Sequence, residues 1–148
     1  MTPTTVRPPV NPGDVIAGLV NNIMATAVAG AAVREAVRRG ARIRFLQVLP
    51  EGLSSDDHAN VASVLFKVAL QSLHGAHRVP CTFETVVGSA AETLVERSRD
   101  AALLVVGADD QDASVRVADY CEEHGECDVL VVADPLASRF VAQESRAR

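Results

Sequence analysis

Aromatic residues make up only 3% of this 148-residue chain, with four Phe, one Tyr and no Trp. Proteins that hold single-stranded nucleic acid stack bases on aromatic rings, and those that neutralise phosphates carry surplus positive charge. This chain has a formal net charge of −5, and Lys67 is its only lysine. Nucleic acid is therefore not an expected partner. The same scarcity of rings leaves little to sandwich an isoalloxazine, which weighs against a flavin electron carrier. Cysteine is sparse as well. Cys81, Cys121 and Cys127 are odd in number and lack the dense spacing of a disulfide framework, so reduced thiols are expected. Long apolar runs are missing: Ile23 to Val33 is broken by Thr26 and falls short of the roughly 20 residues that span a bilayer. No basic stretch leads into an apolar one after Met1, so no secretory leader is expected. These absences point to a cytoplasmic protein without a membrane partner.

What the chain does have is a regular alternation. Hydrophobic residues at 48% and charged residues at 22% suit a soluble globular domain of this length. Residues 1–13, with Pro3, Pro8, Pro9 and Pro12, read as a flexible lead-in, residues 14–134 as the domain, and 135–148 as a polar tail. Val15–Val20 is a first strand. Asn21-Asn22 offers an N-cap, and Ile23 to Arg39 follows as a helix that Gly40 stops. Arg42–Val48 is a second strand, and Ser54-Ser-Asp-Asp57 opens a second helix that runs to Leu73 and ends before Gly75. Val79–Val87 is a third strand, placed at a sheet edge by Pro80. Ser89-Ala-Ala-Glu92 reads as a capping box that starts a third helix through Arg99. Ala102–Val106 is the fourth strand, apolar on both faces. Ser114 caps a last helix through about Glu123, and Asp128–Val132 is the fifth strand. Strands alternating with helices give an α/β fold: a single-domain, open, parallel five-stranded, Rossmann-like sheet of order 3-2-1-4-5 with helices on both faces.

Such a sheet holds ligands at its switch point, here beside the turns after Val20 and Gly107. Gly18, Val20, Val48, Gly107 and Ser114 are the candidate lining residues. The loop after Gly107 is acidic, with Asp109, Asp110 and Asp112 where a phosphate would want glycines and backbone N–H groups. The aspartates read first as a solvated turn with favourable charge near a helix N-terminus. A divalent cation is the other reading, although the distal glutamate of a calcium loop is missing.

The chain resembles the universal stress protein family over Asp14 to Asp134. Carrying the resemblance are Val15-Ile-Ala-Gly18, Ala36-Val-Arg-Arg-Gly-Ala-Arg-Ile43 leading into Gln47-Val48, Val87-Gly-Ser-Ala-Ala-Glu92, Leu103-Leu-Val-Val-Gly107 and Cys127-Asp-Val-Leu-Val-Val132. ATP-binding members resemble one another in an aspartate within a Val-Asp-Gly-Ser-like turn after strand one, and in a Gly-x2-Gly-x9-Gly-Ser/Thr loop after strand four. Here the first place reads Leu19-Val20-Asn21-Asn22, and after Gly107 only Ala113-Ser114 matches the closing pair. The resemblance implies a homodimeric stress-response or regulatory interaction module, and these departures imply one that does not bind ATP in the usual manner. Pairing through the Val129–Val132 edge strand is the expected dimer contact. The alternative is a sensor that takes AMP, an ATP-like nucleotide or another small ligand in a modified crevice.

Other motifs are read as structural. Cys121-Glu-Glu-His124-Gly-Glu-Cys127 has a C-x2-H-x2-C spacing suited to zinc but shows no fourth ligand, so a helix end running into a strand is the expectation. His58, His74 and His77 read as surface or capping groups. Arg34, Arg38, Arg39, Arg42 and Arg44 read as a solvated face. No nucleophile motif or catalytic constellation is visible, and no enzyme activity, cofactor or metal is expected.

Overall fold

The computed structural model describes residues 13–20, 22–75, 79–109 and 116–133. Expectations for the lead-in before Gly13, for Asn21, His77, Asp110, Asp112 and Ser114, and for the tail from Pro135 lie outside the described residues. Five strands and four helices alternate: β1 Val15–Leu19, α1 Asn22–Arg39, β2 Ile43–Leu49, α2 Ser55–Ser72, β3 Cys81–Val87, α3 Ala90–Arg97, β4 Leu103–Gly107, α4 Val117–His124 and β5 Asp128–Val132. All strand pairs are parallel, in the order β3-β2-β1-β4-β5.

The chain moves outward from β1 to β3, returns to β4 and continues to β5. Right-handed crossovers then require α1 and α2 on one face and α3 and α4 on the other. The core divides accordingly. Val15, Ala17, Leu19, Ile43, Phe45, Leu103 and Val105 pack under α1 and α2. Ile16, Leu46, Val48, Leu104 and Val106 pack under α3 and α4. Residues of β1, β2 and most of β4 are buried on both faces, which explains their unbroken apolar runs. β3 and β5 are the edges and alternate in exposure. Helix α1 stops where expected, because Gly40 adopts a left-handed φ of 63°. Ser54 caps α2 by accepting from the Asp57 amide at 3.1 Å.

Three local expectations are corrected. Ser89 sits at the N-cap position of α3, yet its side chain makes no capping hydrogen bond. That cap is exposed, so water competes for the same amides. The arginines do not form one solvated face. Arg34, Arg38 and Arg39 are exposed on α1, but Arg42 forks onto the buried Asp14 at 3.1 and 2.8 Å. Arg44 is buried in β2, 3.6 Å from Glu84 of β3, and Arg97 of α3 approaches the same carboxylate oxygen at 2.8 Å. The third correction concerns the start of α4, which begins at Val117 with Arg116 as a cap residue that makes no side-chain capping bond. Its cap comes instead from the end of β4.

Candidate functional site

The strands' C-terminal ends open into a cleft of about 480 Å³ lined by Val20, Val48, Pro50, Glu51, Gly88, Ser89, Ala90 and Val117. Its position follows from connectivity. Val20 leaves β1, Pro50 and Glu51 leave β2, and Gly88-Ser89-Ala90 carries β3 into α3. Val117 opens α4. The N-termini of two helices therefore face one apolar crevice at the end of a parallel sheet, where folds of this kind bind ligands. The rim is tied down on one side, since the His58 ring lies 3.2 Å from the Pro50 carbonyl oxygen through Nε2. Of the charged types, these lining residues include Glu51 and no arginine or lysine.

Val20 and Val48 thus come together in the cleft. Gly18 and Gly107 are not among these lining residues, and each has a packing role. A Cβ on Gly18 would lie 2.9 Å from Leu94 Cδ2, beneath α3. A Cβ on Gly107 would lie 2.7 Å from Met24 Cβ, on the opposite face beneath α1. Neither glycine has a positive φ, so both serve close approach of a helix to the sheet. Pro50, Glu51, Gly88, Ser89, Ala90 and Val117 are not among the lining residues expected from the sequence. The signal for them is positional: each follows a strand whose C-terminal end reaches the crevice.

Asp109 is the acidic-loop residue that the structure describes. Its carboxylate oxygens accept hydrogen bonds from the Ala118 amide at 2.9 Å and the Asp119 amide at 3.1 Å. These are the second and third amides of α4, the groups that a bound anion takes at a helix N-terminus. Arg116 adds charge beside them. It donates to Asp119 Oδ2 at 2.6 Å, and Asp119 together with Asp109 raises its pKa further above the usual guanidinium value.

The residues of the C-x2-H-x2-C segment have separate packing roles. Cys121 is buried under the sheet, His124 lays its ring against Tyr120 at 4.3 Å, and the half-buried Cys127 contacts the Asp128 carbonyl oxygen at 3.4 Å. Burial pushes the Cys121 thiol up to about 11, with Asp109 and Cys127 adding to the shift. Among the described residues no group of His, Cys, Asp and Glu is arranged to hold a metal ion. No described helix is long and apolar enough to cross a membrane.

No protein-family model matches the sequence, and no curated protein matches it. Solved structures do match. A universal stress protein in complex with cAMP aligns with a TM-score of 0.67 at 19% identity, covering 82% of this chain and 97% of the other. The Archaeoglobus fulgidus universal stress protein in complex with dAMP gives 0.60 at 19% identity over 81% and 96%. An Arabidopsis thaliana family protein with AMP bound gives 0.55 at 15% identity over 82% and 91%. Five parallel strands in the order 3-2-1-4-5, with two helices on each face, give this chain the universal stress protein fold.

Proposed function

We propose that the chain is a universal-stress-protein-like regulatory domain that does not hold Mg-ATP in the manner of the family's ATP-binding members. The observation that carries this reading is the Asp109 carboxylate on the Ala118 and Asp119 amides. A carboxylate already occupies the helix N-terminus that would receive a phosphate, and its charge repels a second anion. With that site filled from within, the domain works by contact with other proteins, as a homodimer joined along the β5 edge at Val129–Val132. Isothermal titration calorimetry with Mg-ATP tests the reading directly: no heat of binding is expected at micromolar protein. Micromolar affinity in the unaltered protein would overturn it.

A second reading is favoured by the cleft itself. Its volume of about 480 Å³ lies within the range of small-molecule sites, and its walls are mostly apolar. A ligand without a triphosphate, such as AMP or a cyclic nucleotide, would seat its base or ribose against Val20, Val48 and Val117 without needing the filled N-terminus of α4. The structural relatives solved with cAMP, dAMP and AMP support this choice of probes. A thermal-shift panel of AMP, ADP, ATP and cAMP separates the two readings: stabilisation by AMP or cAMP alone favours a sensor, and no stabilisation favours a bare interaction module.

A further inference from the structure

Among the described residues, the sheet edge opposite β5 carries a second uncovered surface. Of six large hydrophobic side chains that stand exposed among the described residues, Val64, Phe66 and Leu70 lie on α2 and Val87 on β3. Phe66 and Leu70 are one turn apart, and the Phe66 ring meets Phe83 of β3 edge-on at 4.9 Å. Helix face and strand edge therefore form one continuous apolar surface, which Ala59, Ser63, Cys81 and Thr85 extend. β3 ends the sheet. Its even-numbered residues turn their backbone toward β2, because the Pro80 carbonyl accepts from Ile43 and the Gly88 amide donates to Leu49, both at 2.9 Å. The backbone groups of Cys81, Phe83, Thr85 and Val87 consequently point away from the sheet, as an edge ready to pair.

We propose that this edge pairs antiparallel with β3 of a second copy across a two-fold axis at Glu84, while α2 packs antiparallel on α2 of that copy. The surface is complementary to itself in three respects. In shape, the N-terminal half of its exposed stripe is small, with Ala59 and Ser63, and the C-terminal half is large, with Phe66 and Leu70. Antiparallel packing lays Phe66 over Ser63 and Leu70 over Ala59 of the second copy. In polarity, the same register sets the Asp56 carboxylate, an acceptor, at one end of the stripe against the His74 ring, a donor, at the other. In level, the helix pair is centred between residues 64 and 65 and the strand pair at 84, and the Phe66–Phe83 contact holds those two centres at one height. Strands spaced by about 4.8 Å, with α2 lying over β2 and β3, bring the two helices to roughly 10 Å, a normal contact distance.

Two details fit this occupant. A hollow of about 550 Å³ opens beside Leu70, Gln71 and His74, where the Asp56–Ala59 end of the second α2 arrives. Glu84 meets its own copy at the axis, but Arg97 at 2.8 Å and Arg44 at 3.6 Å already compensate each carboxylate. The contact is isologous and independent of the cleft and of the β5 edge.

The test uses the native thiol. In the proposed register Cys81 faces residue 87 of the second copy as a hydrogen-bonded pair, with Cα atoms about 5.5 Å apart, within disulfide range. Within one chain the same two positions lie roughly 20 Å apart along an extended strand. Val87→Cys should therefore give a covalent dimer on mild oxidation, and Cys81→Ser in that background should abolish it. Phe66→Glu with Leu70→Glu, both at exposed positions, should prevent the cross-link and lower the sedimentation coefficient while leaving the circular dichroism unchanged. Leu130→Glu, at the β5 edge, should leave the Val87→Cys cross-link intact. A Val87→Cys protein that stays uncross-linked, or a Phe66→Glu/Leu70→Glu protein that sediments as the unaltered chain does, overturns the proposal. So does a Leu130→Glu protein, its β5 edge blocked, that is monomeric at high micromolar concentration.

Discussion

Asp109 closes the N-terminus of α4 from outside the helix: its two carboxylate oxygens sit 2.9 Å from the Ala118 amide and 3.1 Å from that of Asp119. The acidic loop is thus part of the scaffold, joining the end of β4 to the helix that covers it. Replacing Asp109 by Ala strands two amides and should cost about 1 kcal/mol, or roughly 2–4 °C in Tm for a chain of this size. Asp109→Asn keeps an acceptor and should cost only a few tenths of that, the loss being the charge that faces the helix dipole. Thermal denaturation of the two variants checks the ordering. Equal losses would mean that charge, and not the hydrogen bonds, carries the cap.

The two glycines of β1 and β4 should separate in the same assay. Gly107→Ala drives a methyl group to 2.7 Å from Met24 Cβ, close to the α1 backbone, where little can yield. Overpacking of that kind should cost about 2 kcal/mol. Gly18→Ala meets the terminal methyl groups of Leu94 at 2.9 and 3.1 Å, and a leucine end can turn aside. The Gly18 variant should therefore retain more stability than the Gly107 variant, measured by urea denaturation with unchanged m-value.

The contrast between these residues shows what the sequence makes legible. The fold could be read because β1, β2 and β4 are apolar on both faces and each is followed by a helical stripe, so a parallel sheet covered on two sides was the consistent solution. Gly18 and Gly107 were visible as glycines after or within strands, but a composition pattern does not distinguish a turn from a close approach, and neither residue takes a positive φ. The pairs that needed tertiary contact were not legible. Arg42 reaches Asp14 across 28 positions, and Asp109 reaches Ala118 across nine. Arg44 looked like part of a basic surface because its partner Glu84 lies on another strand. Of the cleft, Val20 and Val48 are legible from the switch-point rule, while Glu51, Gly88 and Ser89 join it because β2 and β3 end at the same crevice, which is a tertiary fact.

The Asp14–Arg42 fork gives a prediction about stability alone. Asp14 is almost fully buried, while Arg42 is partly exposed. Arg42→Met removes the forked guanidinium from a buried carboxylate, and should lower stability by about 3 kcal/mol. Asp14→Asn with Arg42→Met together should recover part of that loss, because the buried group is then neutral. A double variant less stable than Arg42→Met would show that Asp14 is held mainly by other partners.

Cys121 supplies a pH dependence with a definite sign. Its thiol titrates near 11 in the fold, against an ordinary value of 9.0, chiefly because burial penalises the thiolate. The folded state therefore holds its proton over a range in which the unfolded chain has released it. The corresponding stabilisation is complete below pH 9 and is lost as the pH rises from 9 through 11. Unaltered protein should lose stability across that window more steeply than Cys121→Ala, in which the titrating group is gone, although the variant starts lower because it leaves a small cavity. Thiol labelling in the native state at pH 8 provides the independent check. Cys81, exposed in the single chain, should react fastest of the three, the half-buried Cys127 more slowly, and Cys121 only after unfolding, since the thiolate is the reactive form and burial suppresses it. Labelling of Cys121 at a rate near that of Cys81 would show that α4 opens readily from the sheet, and the steeper loss of stability above pH 9 should then disappear with it.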